Sequence, residues 1–390
     1  MDRSSGNPQR AVSAGPAGPV GPVGPGERID GIDVLRGLAL LGVLVINTVT
    51  EFRVSIFEQF LPPAGTESAI DRSLKAFLAA AVELKALALF SFLFGVGLAI
   101  QFDRLAGNPR RFILLVRRLV VLLAIGLVHL YLIWNGDILV AYAVAGLLVL
   151  PFLLAPRWLV LMAAGVALLL FLIWVPTMVP FPSGGWIRSL VSEANRVYGT
   201  GGFLDVLAFR VREVSGIFPL HVMIFPRTIA LFLLGVLAWR TGILARPEAH
   251  RKVLLGLAAG GLLVGTGLTV ADQWRLGGVV LALGYAAIVI GCMSFSVGRR
   301  MLAWAAPVGR MAFTNYLTQS VILGWIFYGY GLGLFNRLSV TAALAIALAL
   351  YAAQVLSSVW WLGRYRYGPV EWLWRTLMYG RRQPMAIAAA

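Results

Sequence analysis

Cysteine is all but missing: Cys292 stands alone in a chain of 390 residues. No disulfide can close within the chain, and no thiolate cluster can hold a metal. Histidine is nearly as scarce. His129, His221 and His250 lack the spacing of metal ligands, so neither a protein-built metal site nor a resident cofactor is expected. Charged residues make up only 13%, about half a soluble domain's share, which excludes an ordinary water-soluble fold. In their place stands hydrocarbon: 59% of residues are hydrophobic and the mean hydropathy is +0.83. Apolar runs of spanning length recur along most of the chain. The expected fold class is therefore all-α, a polytopic membrane protein in the lipid bilayer. The net charge of +16 does not point to nucleic acid, because the basic residues come in short bursts between apolar runs.

About ten transmembrane helices are expected, at roughly 32–49, 76–101, 113–134, 138–155, 158–176, 222–239, 253–271, 276–297, 307–329 and 339–361. An even count puts both termini on one side. The loops of that side carry Arg104, Arg110, Arg111, Arg117, Arg118, Arg157, Arg240, Arg246, Arg251, Lys252, Arg299 and Arg300. The opposite loops are mixed in sign, so the N- and C-termini are expected to be cytoplasmic.

Before the first span, residues 1–28 contain G-P-A-G-P-V-G-P-V-G-P-G. Its collagen-like period covers too few triplets for a triple helix, and the segment reads as a disordered cytosolic tail rather than a cleavable signal. Residues 29–176 form the N-terminal membrane helices 1–5. Residues 177–221, the longest connection, form an extracytoplasmic loop of the kind that often carries function. Residues 222–361 hold helices 6–10. Residues 362–390, with G-P-V-E-W-L-W-R-T-L-M-Y-G-R-R, form a cytosolic tail suited to the membrane interface.

The polar residues inside apolar spans need a reason, since burying them costs several kcal/mol unless something pairs them. Asp33, Arg36 and Asn47 fall within roughly 60° on the first helix. The bland reading is a local ion pair with Asn47 as helix–helix glue; the functional one is an anchor for an anionic ligand. Glu83 and Lys85 read as a structural pair, and Gly95 and Gly97 as sites of close helix packing. His129 interrupts the third span beside W-N-G-D. The bland reading is a hydrogen-bonded structural histidine, the more common role for a lone membrane histidine; the functional one is a general base that Asp137 would orient. The ninth span, G-R-M-A-F-T-N-Y-L-T-Q-S, places Arg310, Asn315 and Gln319 with the hydroxyls of Thr314, Tyr316 and Thr318. So polar a helix should line a cavity or the bundle interior, with His221 and Arg227 placed at the same cavity.

Residues 305–380 resemble a bacterial membrane domain of unknown function, DUF 418, of YeiB-like proteins. The likeness rests on P-V-G-R-M-A-F-T-N-Y-L-T-Q-S, F-Y-G-Y-G-L-G-L and R-Y-G-P-V-E-W-L-W-R-T-L-M-Y-G. L-F-S-F-L-F-G-V-G and G-L-V-H-L-Y-L-I-W-N-G-D-I-L-V-A-Y-A are similar to the same family's N-terminal half. The first helix is distantly similar to two groups of membrane acyltransferases. The acyltransferase-3 group carries Arg-x10-His, where this chain has Arg36 and Asn47. The heparan-glucosaminide acetyltransferase-like group resembles D-x-x-R-G-x9-N, which Asp33, Arg36, Gly37 and Asn47 satisfy. That group's catalytic histidine lies in the first outer loop, and residues 48–76 here contain none. His129 becomes the leading substitute.

The resemblance implies a protein of the bacterial inner membrane that moves an acyl group from cytosolic acyl-CoA to an extracytoplasmic hydroxyl or amine. Asp33, Arg36, Arg117 and Arg118 would bind the donor. His129 and Asp137 would be catalytic, and Asn47, Asn315 and Gln319 would line the cavity or donate to the oxyanion. The alternatives are a transporter or exporter whose path the same residues line, and a non-catalytic membrane scaffold.

Overall fold

The computed structural model describes residues 30–62, 67–174, 178 and 181–387. The Gly/Pro-rich segment 1–28 lies outside them. Among the described residues the fold is helical, and the sole β-type pairing is an isolated bridge between Tyr365 and Ala386. Seven helices are long and apolar enough to cross a membrane, and two shorter apolar ones cover Leu139–Leu153 and Arg157–Ile173. With no water to satisfy backbone groups in hydrocarbon, helices are the form such sequences must take.

Helix α1 (Asp30–Ile46) is the most enclosed candidate span. With the turn that follows, 61% of its apolar window is buried, against 11% for the segment Pro247–Val270. It continues into a π-helical turn, Asn47–Phe52. The second expected span is not one helix. Leu84 takes a left-handed conformation, φ 62°, and separates α2 (Ala69–Ala81) from α3 (Lys85–Arg104). The buried Lys85 ammonium donates to Ala79 O at 2.9 Å across this break, so its charge is answered by backbone.

Helix α4 (Arg111–Val128) ends in a second π-helical turn, His129–Ile133, and the chain reverses into α5 (Leu139–Val149) and α6 (Arg157–Leu169). The connection expected over 177–221 contains α7 (Gly184–Thr200) and the first half of α8 (Phe203–Arg240). At 38 residues, α8 measures roughly 57 Å, about twice the hydrocarbon thickness. Its polar first half lowers the hydropathy without ending the helix, and it runs on through Pro219 and Pro226. Gly95 of α3 lies against the Phe232 carbonyl of α8 so closely that a side chain would meet it. Gly97 has nothing within 4 Å and borders open space instead.

The C-terminal half comprises α9 (Arg251–Val270), α10 (Trp274–Met293), α11 (Ser296–Leu302), α12 (Ala306–Arg310), α13 (Ala312–Phe327), α14 (Val340–Leu362) and α15 (Pro369–Tyr379). The ninth expected span is thus broken at Met311. The new helix start is capped from elsewhere: Glu371 of α15 accepts from Phe313 N at 2.8 Å, Thr314 N at 3.1 Å and Thr314 Oγ1 at 2.5 Å. A carboxylate there satisfies orphan donors and opposes the helix dipole.

Candidate functional site

A cavity of about 310 Å³ opens among α1, α3, α4, α5, α13 and α15. Arg36, Arg104, Arg118, Arg310, Arg366 and Arg375 gather at one end. Val43, Phe90, Leu93, Phe94 and Leu122 form apolar walls, and the buried Tyr142 and Tyr316 line the end toward the turn that carries His129. Gly309 lets α12 meet the Asp33 carbonyl of α1 with no room for a Cβ, which brings Arg310 to the mouth. Arg36 pairs with Asp33 at 2.9 Å. Arg118 stacks 3.8 Å from the Trp374 ring centroid, while Trp374 Nε1 donates to Arg118 O at 2.8 Å. The buried Nε of Arg118 has no hydrogen-bond partner among the described residues. So many cations around one opening favour an anion, and the walls favour an apolar stem behind it.

At the deep end, Tyr142 meets Ser91 Oγ at 2.9 Å. The Tyr316 hydroxyl lies toward the Ile138 backbone without a hydrogen bond of ordinary geometry. Immediately behind Tyr316, 5.1 Å between ring centroids, stands His129. It is fully enclosed. Its Nδ1 lies 2.8 Å from Asp137 Oδ1 and its Nε2 2.9 Å from Ser320 Oγ. Asp137 Oδ2 accepts from Val140 N at 2.8 Å, and His221 Nε2 donates to the Asp137 carbonyl at 3.1 Å. With the ring proton on Nδ1 donated to Asp137, the Nε2 lone pair accepts from Ser320. The residues thus form a serine–histidine–aspartate chain.

The other expected site residues divide. Asp33, Arg36 and Arg118 line the cavity mouth. Arg117 is exposed and lies against Gly380. Asn47 is half-buried at the start of the first π-helical turn, and the cavity lining does not include it. Asn315 and Gln319 turn toward α14. Asn315 Nδ2 donates to Ser358 Oγ at 3.0 Å and Gln319 Nε2 to Gln354 Oε1 at 2.7 Å, while Gln354 Nε2 donates to Asn315 O at 3.0 Å. These amides join two helices. Arg227 is buried beside Phe171, with Nε and one terminal nitrogen unpartnered among the described residues.

Sequence reasoning did not single out Ser320, Trp374 or Glu371 for the site. Ser320 follows Tyr316 by four positions, one turn on the same face, which is the one signal that could have found it. Burial raises the Glu371 carboxyl above its ordinary value, against the lowering effect of its hydrogen bonds from Thr314 and Phe313. On the far side of the relay, Glu213 accepts from Asn135 at 2.6 Å and from Tyr198 at 2.5 Å. Burial, then the Glu213 carboxylate, pushes the Tyr198 phenol well above its usual range.

Residues 238–381 match the family model described as a protein of unknown function, DUF418. The uncharacterized protein YxaH of Bacillus subtilis is 35% identical, covering 92% of this chain and 96% of its own. An uncharacterized 39.9 kDa protein from the amylase 3′ region of Bacillus acidopullulyticus is 31% identical over 93% of this chain and 96% of its own. The uncharacterized protein YeiB of Escherichia coli is 31% identical over 90% and 96%.

Proposed function

The chain belongs to the YeiB-like DUF418 family, and on that premise we propose that it is an acyltransferase using cytosolic acyl-CoA and an extracytoplasmic hydroxyl or amine acceptor. The observation that carries this reading is one cavity with an arginine mouth and a histidine–aspartate pair just behind its deep end. Arg118 and His129 are eleven residues apart along α4 and its turn, roughly 16 Å at the helical rise. That span suits a donor whose phosphates stay at the mouth while its thioester reaches the interior. Arg36 and Arg118 hold the phosphates, and the apolar walls take the slender stem. His129 accepts the proton released as the new acyl bond forms and returns it to the departing thiolate. Asp137 stabilises the imidazolium in between.

Counting the two shorter apolar helices and the broken α12–α13 segment beside the seven long ones supports ten spans. Both termini then share the arginine side, which the positive-inside bias makes cytoplasmic in a bacterial inner membrane. Polar groups on both sides of the relay, Glu213 and Tyr198 beyond it and the cavity before it, favour transport of a small molecule or lipid-linked substrate as the second reading.

The test is binding and turnover of labelled acyl-CoA by protein in nanodiscs at low salt, where charge attraction is least screened. Binding together with acyl transfer, lost in His129→Gln, is the expected result. Binding without any transfer assigns the cavity to transport, and no acyl-CoA binding removes the enzyme reading.

A further inference from the structure

His129 has no nitrogen to spare. Its Nδ1 faces Asp137 at 2.8 Å and its Nε2 faces Ser320 at 2.9 Å. A base whose one available lone pair is directed at a hydroxyl takes its first proton from that hydroxyl. The acceptor cannot be deprotonated by His129 while Ser320 occupies Nε2. Resting on the acyl-CoA reading above, we infer that Ser320 is the nucleophile, and that the acyl group passes through a covalent ester on Ser320 before it reaches the acceptor.

Three features fit a nucleophile better than a structural hydroxyl. The serine–base and base–carboxylate contacts occur together, the arrangement by which such chains are recognised on unrelated folds. Asp137 is locked by Val140 N at 2.8 Å, with its own carbonyl held by His221 at 3.1 Å, so the orienting carboxylate cannot swing away. Ser320 also has a second acceptor, the Tyr316 carbonyl at 3.3 Å. The hydroxyl can turn there when His129 becomes protonated and donates from Nε2. A proton can therefore move along the chain without leaving any member unpaired.

Ser320 is enclosed, 2% exposed, and Tyr316 separates it from the cavity. The Tyr316 hydroxyl forms no hydrogen bond of ordinary geometry among the described residues. The ring is held over the relay by packing and by its approach to the Ile138 backbone, so the acylation of Ser320 requires that ring to move aside for the thioester.

The chemistry balances in two halves. Ser320 Oγ gives its proton to His129 Nε2 and attacks the thioester carbonyl. The C–S bond breaks, and the CoA thiolate leaves with the proton from Nε2. The acceptor hydroxyl or amine then gives its proton to Nε2 and attacks the Ser320 ester. The ester C–O bond breaks, and Ser320 recovers its proton.

The first half needs no acceptor, so it predicts exchange of labelled CoA into acyl-CoA by the full chain in nanodiscs. Acyl-CoA binding is measured on the same samples. The wild type should exchange and carry an ester on the peptide containing Ser320. Ser320→Ala should bind acyl-CoA as the wild type does and lose exchange at least about a hundredfold. Acyl transfer to an acceptor without CoA exchange overturns this inference and leaves the acyltransferase reading standing, as does exchange by Ser320→Ala at the wild-type rate. Absence of acyl-CoA binding overturns both. Should Ser320→Ala not fold, the peptide map of the wild type decides: an ester elsewhere, or none, overturns the assignment.

Discussion

At the scale of single residues, the enclosed His129 separates chemistry from stability in a measurable way. Deleting its ring would leave the Asp137 carboxylate buried without its partner, a loss of about 3–5 kcal/mol in comparable buried pairs. Glutamine offers a donor for Asp137 but no titratable nitrogen. His129→Gln is expected to keep most of the thermal stability in detergent while lowering acyl transfer by about 10²–10⁴-fold. A melting temperature collapsing along with activity would make the residue structural. Tyr316→Phe removes a hydroxyl that no described residue bonds in ordinary geometry. Its stability should change by less than about 0.5 kcal/mol, below the usual cost of a lost hydrogen bond. A larger loss, seen in thermal unfolding, would mean that the phenol has a partner. The contact of Asp137 with His129 was legible in the sequence because eight positions of one tight reversal separate them. Ser320 was not, because its pairing spans 191 positions and no local pattern encodes it.

Among the elements, α15 is the one to which the structure adds most beyond its sequence pattern. Its alternation of aromatics and arginine suggests a helix resting at the membrane surface. It also builds the cavity wall with Trp374 and Arg375, and its Glu371 caps α13, the helix that carries Tyr316 and Ser320. Burial raises the Glu371 carboxyl above its reference of 4.5. The folded state then binds the proton more tightly than the unfolded state, so this group's contribution to stability falls as pH rises through the raised value. Thermal unfolding across pH should show the wild type gaining on Glu371→Gln as pH falls toward 4.5, with no further gain below it. A difference independent of pH, or of opposite slope, would refute the raised value. The break at Leu84 was equally hidden, since V-E-L-K-A-L contains neither glycine nor proline. A leucine with φ 62° is strain that only the packed neighbourhood can impose.

For the molecule as a whole, the arginine mouth defines a direction. With the mouth on the cytoplasmic side, the π-helical turns at Asn47 and His129 lie toward the outer one. The lone Cys292 makes this easy to check in a Cys292→Ala background. A membrane-impermeant maleimide applied to intact spheroplasts should modify Gln59→Cys, exposed next to the first π-helical turn. It should modify Arg382→Cys, exposed at the other end of the bundle, only after lysis. The reverse pattern would place the arginine mouth outside, where cytosolic acyl-CoA cannot reach it.

The sequence alone determined the membrane class and the helical form, because hydropathy summed over twenty residues outweighs any single contact and hydrocarbon admits few backbone solutions. It also determined the Asp33–Arg36 pair, which lies within one turn of one helix. Which polar residues share a space was decided only by the tertiary structure. Asn315 and Gln319 point to α14 through hydrogen bonds between distant segments, and Asn47 stands apart from the cavity lining. Ser320, Tyr316 and His129 meet because α13 packs beside the turn at the end of α4. Periodicity reveals which face of a helix is polar, whereas the partner of that face depends on how the helices cross.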